Sequence, residues 1–428
     1  MSVKKNLNEL SDKEKHKVDK ELTIKLKSPI RNVPPKIIVT YNVDDSDDVI
    51  LPFAYGISNF NLKKTRPKRE DLPNANIEFA AELRPEQLIG KNEIVRNLNK
   101  TGSACLSAHV GWGKTITAIN IACTIKLKTL IIVNKIVLIK QWEESINLFS
   151  PGATIQKVKP KAKFEDCDFY IINAQNVEKM GLEFFSQIGL CVVDEMHMIM
   201  AETLSRSLHY IFPRYLLGLS ATPYRPDDLD ILIEYYFGGN KVIRELNREH
   251  HVYVIETGIS YVIERTIDGR LNWGNLLDQQ SEHKERNQII IDIVRKFDTR
   301  NFLILVKRVK QGKLLKNMLE ELGEDVTSLL GSSQEFNKES RILIGTCQKV
   351  GVGFDHKKLD ALLLATDIEE YFIQYLGRVF RTRNQIPIVF DLVDDQQTLK
   401  KHYSTRKDVY SKHGGIFKTI SEEHLQLS

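Results

Sequence analysis

Eight consecutive residues, Ala108, His109, Val110, Gly111, Trp112, Gly113, Lys114 and Thr115, constrain this chain more than any other stretch. An apolar run from Ser103 to Ser107 precedes them and reads as a short strand; Ile-Thr-Ala-Ile-Asn-Ile-Ala follows and reads as a helix. A loop that wraps an anion must bring successive backbone N–H groups within hydrogen-bonding reach, and Gly111 and Gly113 are where a Cβ would obstruct that approach. The helix behind the loop adds the favourable end of its dipole. The pattern is that of a phosphate-binding loop, with alanine at its first fixed position. It places Lys114 to meet the β- and γ-phosphates of ATP and Thr115 to ligate Mg²⁺. A glycine turn beside a lysine is the plain alternative, and strand, loop and helix in that order argue against it.

A second stretch points the same way. Leu190-Cys-Val-Val is a buried strand that ends in Asp194 and Glu195, with His197 two residues on. Paired acids at the end of an apolar strand suit metal and water chemistry: Asp194, taken to end a strand beside the phosphate loop, can hold the Mg²⁺ shell, and Glu195 can polarise an attacking water. Thr129 to Val133, Asp168 to Asn173 and Tyr215 to Ser220 read as further apolar strands, and Ile136 to Phe149 as a helix carrying Gln141-Trp142, so parallel βαβ units are under way. Upstream, Arg84 and Gln87 in Leu-Arg-Pro-Glu-Gln open an amphipathic helix, where a glutamine can read the adenine edge with both amide groups.

Length and composition set the outer limits. At 428 residues the chain allows about three domains, and 42% hydrophobic residues suffice for their cores. A net charge of +5 is a mild excess compatible with a polyanionic partner. Five cysteines without C-x-x-C spacing predict neither a disulfide nor zinc. No apolar run approaches the roughly 18 residues of a membrane span, and the charged first segment lacks a signal-peptide core, so the expectation is a soluble intracellular protein with no membrane partner.

The organisation expected along the chain is as follows. Residues 1–36 form a lysine-rich arm, disordered or loosely docked, with a short helix around Leu10 to Leu22. Residues 37–75 form a small β-rich module and linker. Its basic cluster, Lys63, Lys64, Arg66, Lys68 and Arg69, is as consistent with a solvated linker as with phosphate contacts. Residues 76–247 form a first α/β domain and 248–428 a second, with Lys241 to Arg300 bridging them. The second contains the strand Asn301 to Val306 followed by Lys307 and Arg308, the strand around Arg341 to Thr346, the strand Ala361 to Ala365, a helix at Gln374 to Arg381, and a last strand and helix from Pro387 to Lys412.

Leu-Arg-Pro-Glu-Gln, Gly-Trp-Gly-Lys-Thr, Asp-Glu-Met-His and Ser-Ala-Thr-Pro, in this order and spacing, resemble the first motor half of a superfamily 2 DExH helicase. The second half carries its own likeness. Residues 341–355 resemble helicase motif V, and Gln374-Tyr-Leu-Gly-Arg-Val-Phe-Arg381 matches Q-x-x-G-R-x-x-R of motif VI. Gly-Leu-Ser-Ala-Thr-Pro-Tyr-Arg-Pro-Asp and Gly-Val-Gly-Phe-Asp are most similar to the branch holding XPB, phage UvsW-type helicases and the poxviral transcript-release helicase. The short chain looks viral. Departures are Ala108, Asn134 where relatives often have proline, and Arg225-Pro226-Asp227 in place of Arg-Glu-Asp.

The resemblance implies an α/β fold of two RecA-like P-loop NTPase domains in tandem with a small β-rich N-terminal module, binding ATP and Mg²⁺ between them and tracking a nucleic-acid strand. It implies nucleotide contacts from Arg84, Gln87, residues 108–115, Gly353 and Asp355. Catalysis falls to Glu195, Gln374, Arg378 and Arg381, with the two arginines on one helical face. Coupling falls to Asp194, His197, Ser220, Ala221 and Thr222, and nucleic-acid phosphates to Lys307, Arg308 and Thr346. DNA is the expected polymer, with RNA or a DNA–RNA hybrid as alternatives and the transcription machinery as a partner; for a viral protein the location would be a cytoplasmic replication site, the nucleus or the virion. Rival readings are an RNA helicase, a nonhydrolytic nucleic-acid-binding subunit of a transcription complex, and a P-loop kinase.

Overall fold

The computed structural model describes residues 1–26, 36–199, 209–221, 229–333, 335–351, 356, 358–369, 372–380 and 385–419. The chain divides into two units, Met1–Arg244 and Glu245–Ser428. The division falls just ahead of the boundary expected near Arg248, and Lys241–Arg244, expected to begin a bridge, is an edge strand of the first unit.

The first unit begins with a small module: β1 (Ser2–Asn6), α1 (Asp12–Leu22), β2 (Thr23–Leu26), β3 (Lys36–Val39), β4 (Asn42–Val43), β5 (Asp48–Pro52) and α2 (Phe53–Phe60). β1 and β4 both pair antiparallel with β5, and β2 with β3. The arm, expected to be disordered or loosely docked, is folded over its described residues. Its described lysines through Lys25 are exposed or half-buried, while Val3, Leu10, Val18 and Leu22 are buried in one cluster with Val49, Leu51 and Phe53. Ser11 and Glu14 cap α1 reciprocally, each accepting from the other's backbone N–H. Nor do all members of the basic cluster face solvent: Arg66 is buried, donating to the Arg214 and Lys63 carbonyls.

The rest of the unit alternates strands and helices: α3 (Pro85–Thr101), β6 (Ser103–Ala108), α4 (Lys114–Ile125), β7 (Thr129–Val133), α5 (Ile136–Phe149), β8 (Ile155–Val158), β9 (Phe169–Asn173), β10 (Leu190–Val193), α6 (Met196–Ile199), β11 (Tyr215–Ser220), α7 (Asp230–Phe237) and β12 (Lys241–Arg244). Its seven strands run in the order β12-β6-β11-β10-β7-β9-β8, and every pairing is parallel. β6, β7, β9 and β10 are buried end to end, as continuous apolar strands must be when helices cover both faces.

In the second unit come β13 (His250–Glu256), α8 (Trp273–Glu282), α9 (Lys284–Lys296), β14 (Phe302–Val306), α10 (Val309–Glu321), β15 (Val326–Leu329), β16 (Ile342–Thr346), α11 (Cys347–Gly351), β17 (Ala361–Leu364), α12 (Phe372–Leu376), β18 (Ile388–Val393), α13 (Gln397–Lys412) and β19 (Gly415–Lys418). The sheet again has seven parallel strands, in the order β15-β16-β14-β17-β18-β13-β19. The two RecA-like α/β domains and the β-rich N-terminal module are thus present. In a parallel sheet all strands end at one edge, and loops there collect the functional side chains.

Candidate active site

The carboxyl edge of the first sheet gathers the groups that the sequence singles out. β6 ends at Ala108, and the loop that follows turns at Gly111 (φ 83°) and Gly113 (φ 98°), the latter capping α4. A Cβ on Gly113 would lie 2.2 Å from Gln87 Nε2, so this position admits glycine on grounds of both backbone and space. The loop is held from outside by α3: Gln87 Nε2 donates to the Trp112 carbonyl (2.7 Å), and the Arg84 guanidinium donates to the same oxygen. Gln87 Oε1 in turn accepts from the Arg84 N–H (2.9 Å). One amide donor and one acceptor of Gln87 thus clamp the loop to α3. Trp112 is buried against Gly90, where an added Cβ would lie 3.1 Å from its ring. His109 donates its backbone N–H to Arg244 at the end of β12, its ring nitrogen lies 2.8 Å from the Val110 carbonyl, and burial pushes its pKa down.

Lys114 lies at the start of α4, its ammonium 2.8 Å from the Ala108 carbonyl and 3.5 Å from that of His109. Thr115 follows it on the first turn. A glycine cradle that a Cβ would fill, a lysine folded into it and a helix start behind it make a donor set that fits a nucleotide triphosphate.

β11 lies between β6 and β10, so the Asp194 strand is one removed from the phosphate loop rather than beside it. That interposition gives Ser220, at the end of β11, its place. Asp194 is buried, accepts from Trp142 Nε1 (2.8 Å) and from the Glu195 N–H (3.0 Å), and is raised to about 6 by burial and then by the charge of Glu195, with Lys114 acting in the opposite sense. Glu195 is held at φ 48°, an uncommon backbone for a residue with a Cβ. Its Oε2 is buried with no hydrogen-bond partner among the described residues and lies 3.5 Å from His197 Nδ1. His197 Nδ1 lies 2.7 Å from Ser220 Oγ, and both residues are buried. Ala221 follows; Thr222 lies outside the described residues.

The second unit carries the remaining residues. Thr346 is buried at the end of β16. Lys307 and Arg308 follow β14; Arg308 donates to Asp278 Oδ1 (2.7 Å) and to the Gly274 carbonyl (2.8 Å), which engages its guanidinium within the domain. Gln374 is buried in α12. Helix α12 ends at Leu376, so Arg378, also buried, lies in the turn beyond, where its N–H donates to the Tyr375 carbonyl at 3.0 Å. The helical face expected for Arg378 and Arg381 rests in part on a residue outside the described ones. Arg381 lies outside the described residues, as do Gly353 and Asp355.

Residues 80–225 match the family model described as "Type III restriction enzyme, res subunit". The whole chain is similar to "Putative helicase 161L" of Invertebrate iridescent virus 6, at 42% identity over 98% of this chain and 99% of the relative. The chain belongs to the viral superfamily 2 helicases. The helicase is also similar to "Putative ATP-dependent RNA helicase L396" of Acanthamoeba polyphaga mimivirus, at 26% identity over 96% of this chain and 83% of the relative. Among solved structures it shares the fold of S. cerevisiae Dbp5 bound to RNA and ADP BeF3, with a TM-score of 0.55 at 14% identity over 80% of this chain and 95% of that one. Helicases of this family hydrolyse ATP and act on nucleic acid.

One site residue of the helicase escaped the sequence reading. Trp142 orients Asp194 across 52 positions of sequence, and the Gln-Trp pair in an amphipathic helix was its only local mark. Among the described residues, no helix is long and apolar enough to cross a membrane.

Proposed function

We propose that this helicase is an ATP-driven DNA motor, in which Glu195 activates the attacking water and Ser220 couples hydrolysis to the grip on a strand. The observation that carries the reading is the Glu195 carboxylate, which has one oxygen buried with no hydrogen-bond partner among the described residues and a left-handed backbone that aims it from the end of β10. Burial of a carboxylate oxygen without a partner costs about 1–3 kcal/mol or more, a cost that a general base repays when it takes up a water. Lys114 and the loop N–H groups would bind the β- and γ-phosphates, and Thr115 and Asp194 would hold Mg²⁺. The ion supplies charge neutralisation at the transferring phosphate. Trp142 fixes the Asp194 carboxylate for that task.

In this account Gln374, Arg378 and Arg381 of the second domain stabilise charge developing on the γ-phosphate, with Gly353 and Asp355 facing the nucleotide, while Lys307 and Thr346 meet phosphates of the polymer. His197 and Ser220 link the base to the end of β11, so a shift of that strand on polymer binding would reposition Glu195. An RNA motor is the second reading, favoured by the name of the mimivirus relative. The deciding experiment compares ATPase rates with single-stranded DNA, duplex DNA, RNA and a DNA–RNA hybrid in parallel. The DNA reading expects the largest stimulation from a DNA substrate. Stimulation by RNA alone would replace it, and no stimulation by any polymer would end the motor reading.

A further inference from the structure

The sequence holds three tryptophans, and two of them, Trp112 and Trp142, are 2% exposed. The third, Trp273, is partly exposed and opens α8 in the second unit. Its indole rests on an apolar cluster of Ile259, Tyr261, Leu276 and Leu399, and meets the His402 ring edge-on at 5.4 Å. The Lys307 ammonium lies over it, 5.7 Å from the ring centroid.

The pairing is held by design of the backbone around it. Lys307 and Arg308 leave the carboxyl end of β14, and Arg308 reaches back to α8, bonding Asp278 and the Gly274 carbonyl next to Trp273. Arg308 is therefore a strut that fixes the first turn of α8 against the end of β14. A large aromatic and a lysine are thus brought together at the edge of a parallel sheet where loops collect ligand contacts. An aromatic face beside a cation is the arrangement that binds single-stranded nucleic acid: a base stacks on the ring and the cation meets the phosphate.

We propose that Trp273 is a base-stacking platform for the bound strand, with Lys307 the adjoining phosphate contact and Arg308 a positioning residue. On binding, a base takes the place over the indole that the ammonium holds in the free protein, and the ammonium moves to the neighbouring phosphate. The proposal rests on the motor reading above, and its failure is distinguishable from that reading's failure.

The test uses the full chain and its own tryptophan fluorescence. Titration with oligothymidylate or oligouridylate, with binding followed independently by the anisotropy of a labelled oligonucleotide, should quench the emission in step with binding. Trp273→Phe should abolish that quench and keep binding within a few-fold, because a phenyl ring still stacks. Trp273→Ala should weaken binding about tenfold or more without changing its salt dependence, whereas Lys307→Ala should lower the slope of log affinity against log salt by about 0.7. Binding without a quench, or a quench that survives in Trp273→Phe, overturns the stacking platform and leaves the motor standing. Absence of binding to any polymer defeats both. Where Trp273→Ala fails to fold, the wild-type titration and the Phe variant decide.

Discussion

The two parallel sheets end in carboxyl edges of opposite character. In the first unit Glu195 at that edge keeps an oxygen with no hydrogen-bond partner among the described residues. In the second, buried charges are paired with one another. Arg286 grips Asp394 with its Nε 2.9 and 3.0 Å from the two carboxylate oxygens, and Thr257 and Gln280 donate to the same group at 2.7 Å. Arg406 forks onto both oxygens of Asp391 at 2.8 Å and reaches Asp367, which also receives His402. Burial pushes Asp367 up, yet the His402 hydrogen bond and the Arg406 charge hold it below the ordinary value. The lesson is that identical topology can support an edge with spare valence for chemistry or an edge stapled for rigidity. What tells them apart is the guanidinium that Asp394 and Asp391 each hold and Glu195 lacks among the described residues.

Substitutions on either side can break this comparison. The largest effect is expected at Lys114→Ala, which removes the side-chain cation from the phosphate cradle: kcat should fall by about 10²–10³ and ATP affinity should drop, with the melting temperature little changed. Undiminished turnover in a steady-state ATPase assay would remove the phosphate loop from the account. Arg406→Leu should do the reverse, leaving Asp391 and Asp367 buried without their guanidinium and costing about 3–5 kcal/mol of stability. Thermal or urea unfolding should show this directly; an unshifted transition would mean that the second edge is no staple. The smallest effect is expected at Ser220→Ala, which removes the 2.7 Å contact with His197 at a cost of about 1 kcal/mol. Basal hydrolysis should survive while stimulation by the polymer falls several-fold. Equal fold-stimulation in variant and wild type would show that β11 does not couple the base to the strand.

Much of the first edge was legible because its signals are contiguous. Gly111, Gly113 and Lys114 lie within one loop, and Asp194 and Glu195 end one apolar strand. What escaped was set by partners distant in sequence. Nothing local in Ser2–Asn6 announces its pairing with Asp48–Pro52, and its lysines imitate a solvated arm. Lys241–Arg244 carries a charge at each end and is a strand because it completes the edge beside β6. Trp142 finds Asp194, and Gln87 the Trp112 carbonyl, only after the fold has formed. The ion-paired edge was invisible for the same reason, since Arg286 and Asp394 stand 108 positions apart.

The central claim is that the buried Glu195 oxygen, with no hydrogen-bond partner among the described residues, marks the general base. It is tested most directly by single-turnover ATP hydrolysis in Glu195→Gln with saturating single-stranded DNA, alongside binding of a fluorescent ATP analogue. The amide keeps the shape of the side chain and loses the base, so the nucleotide should bind within a few-fold of wild type while hydrolysis slows by about 10²–10⁴. Hydrolysis at a near-wild-type rate with intact binding would contradict the assignment and move the base elsewhere.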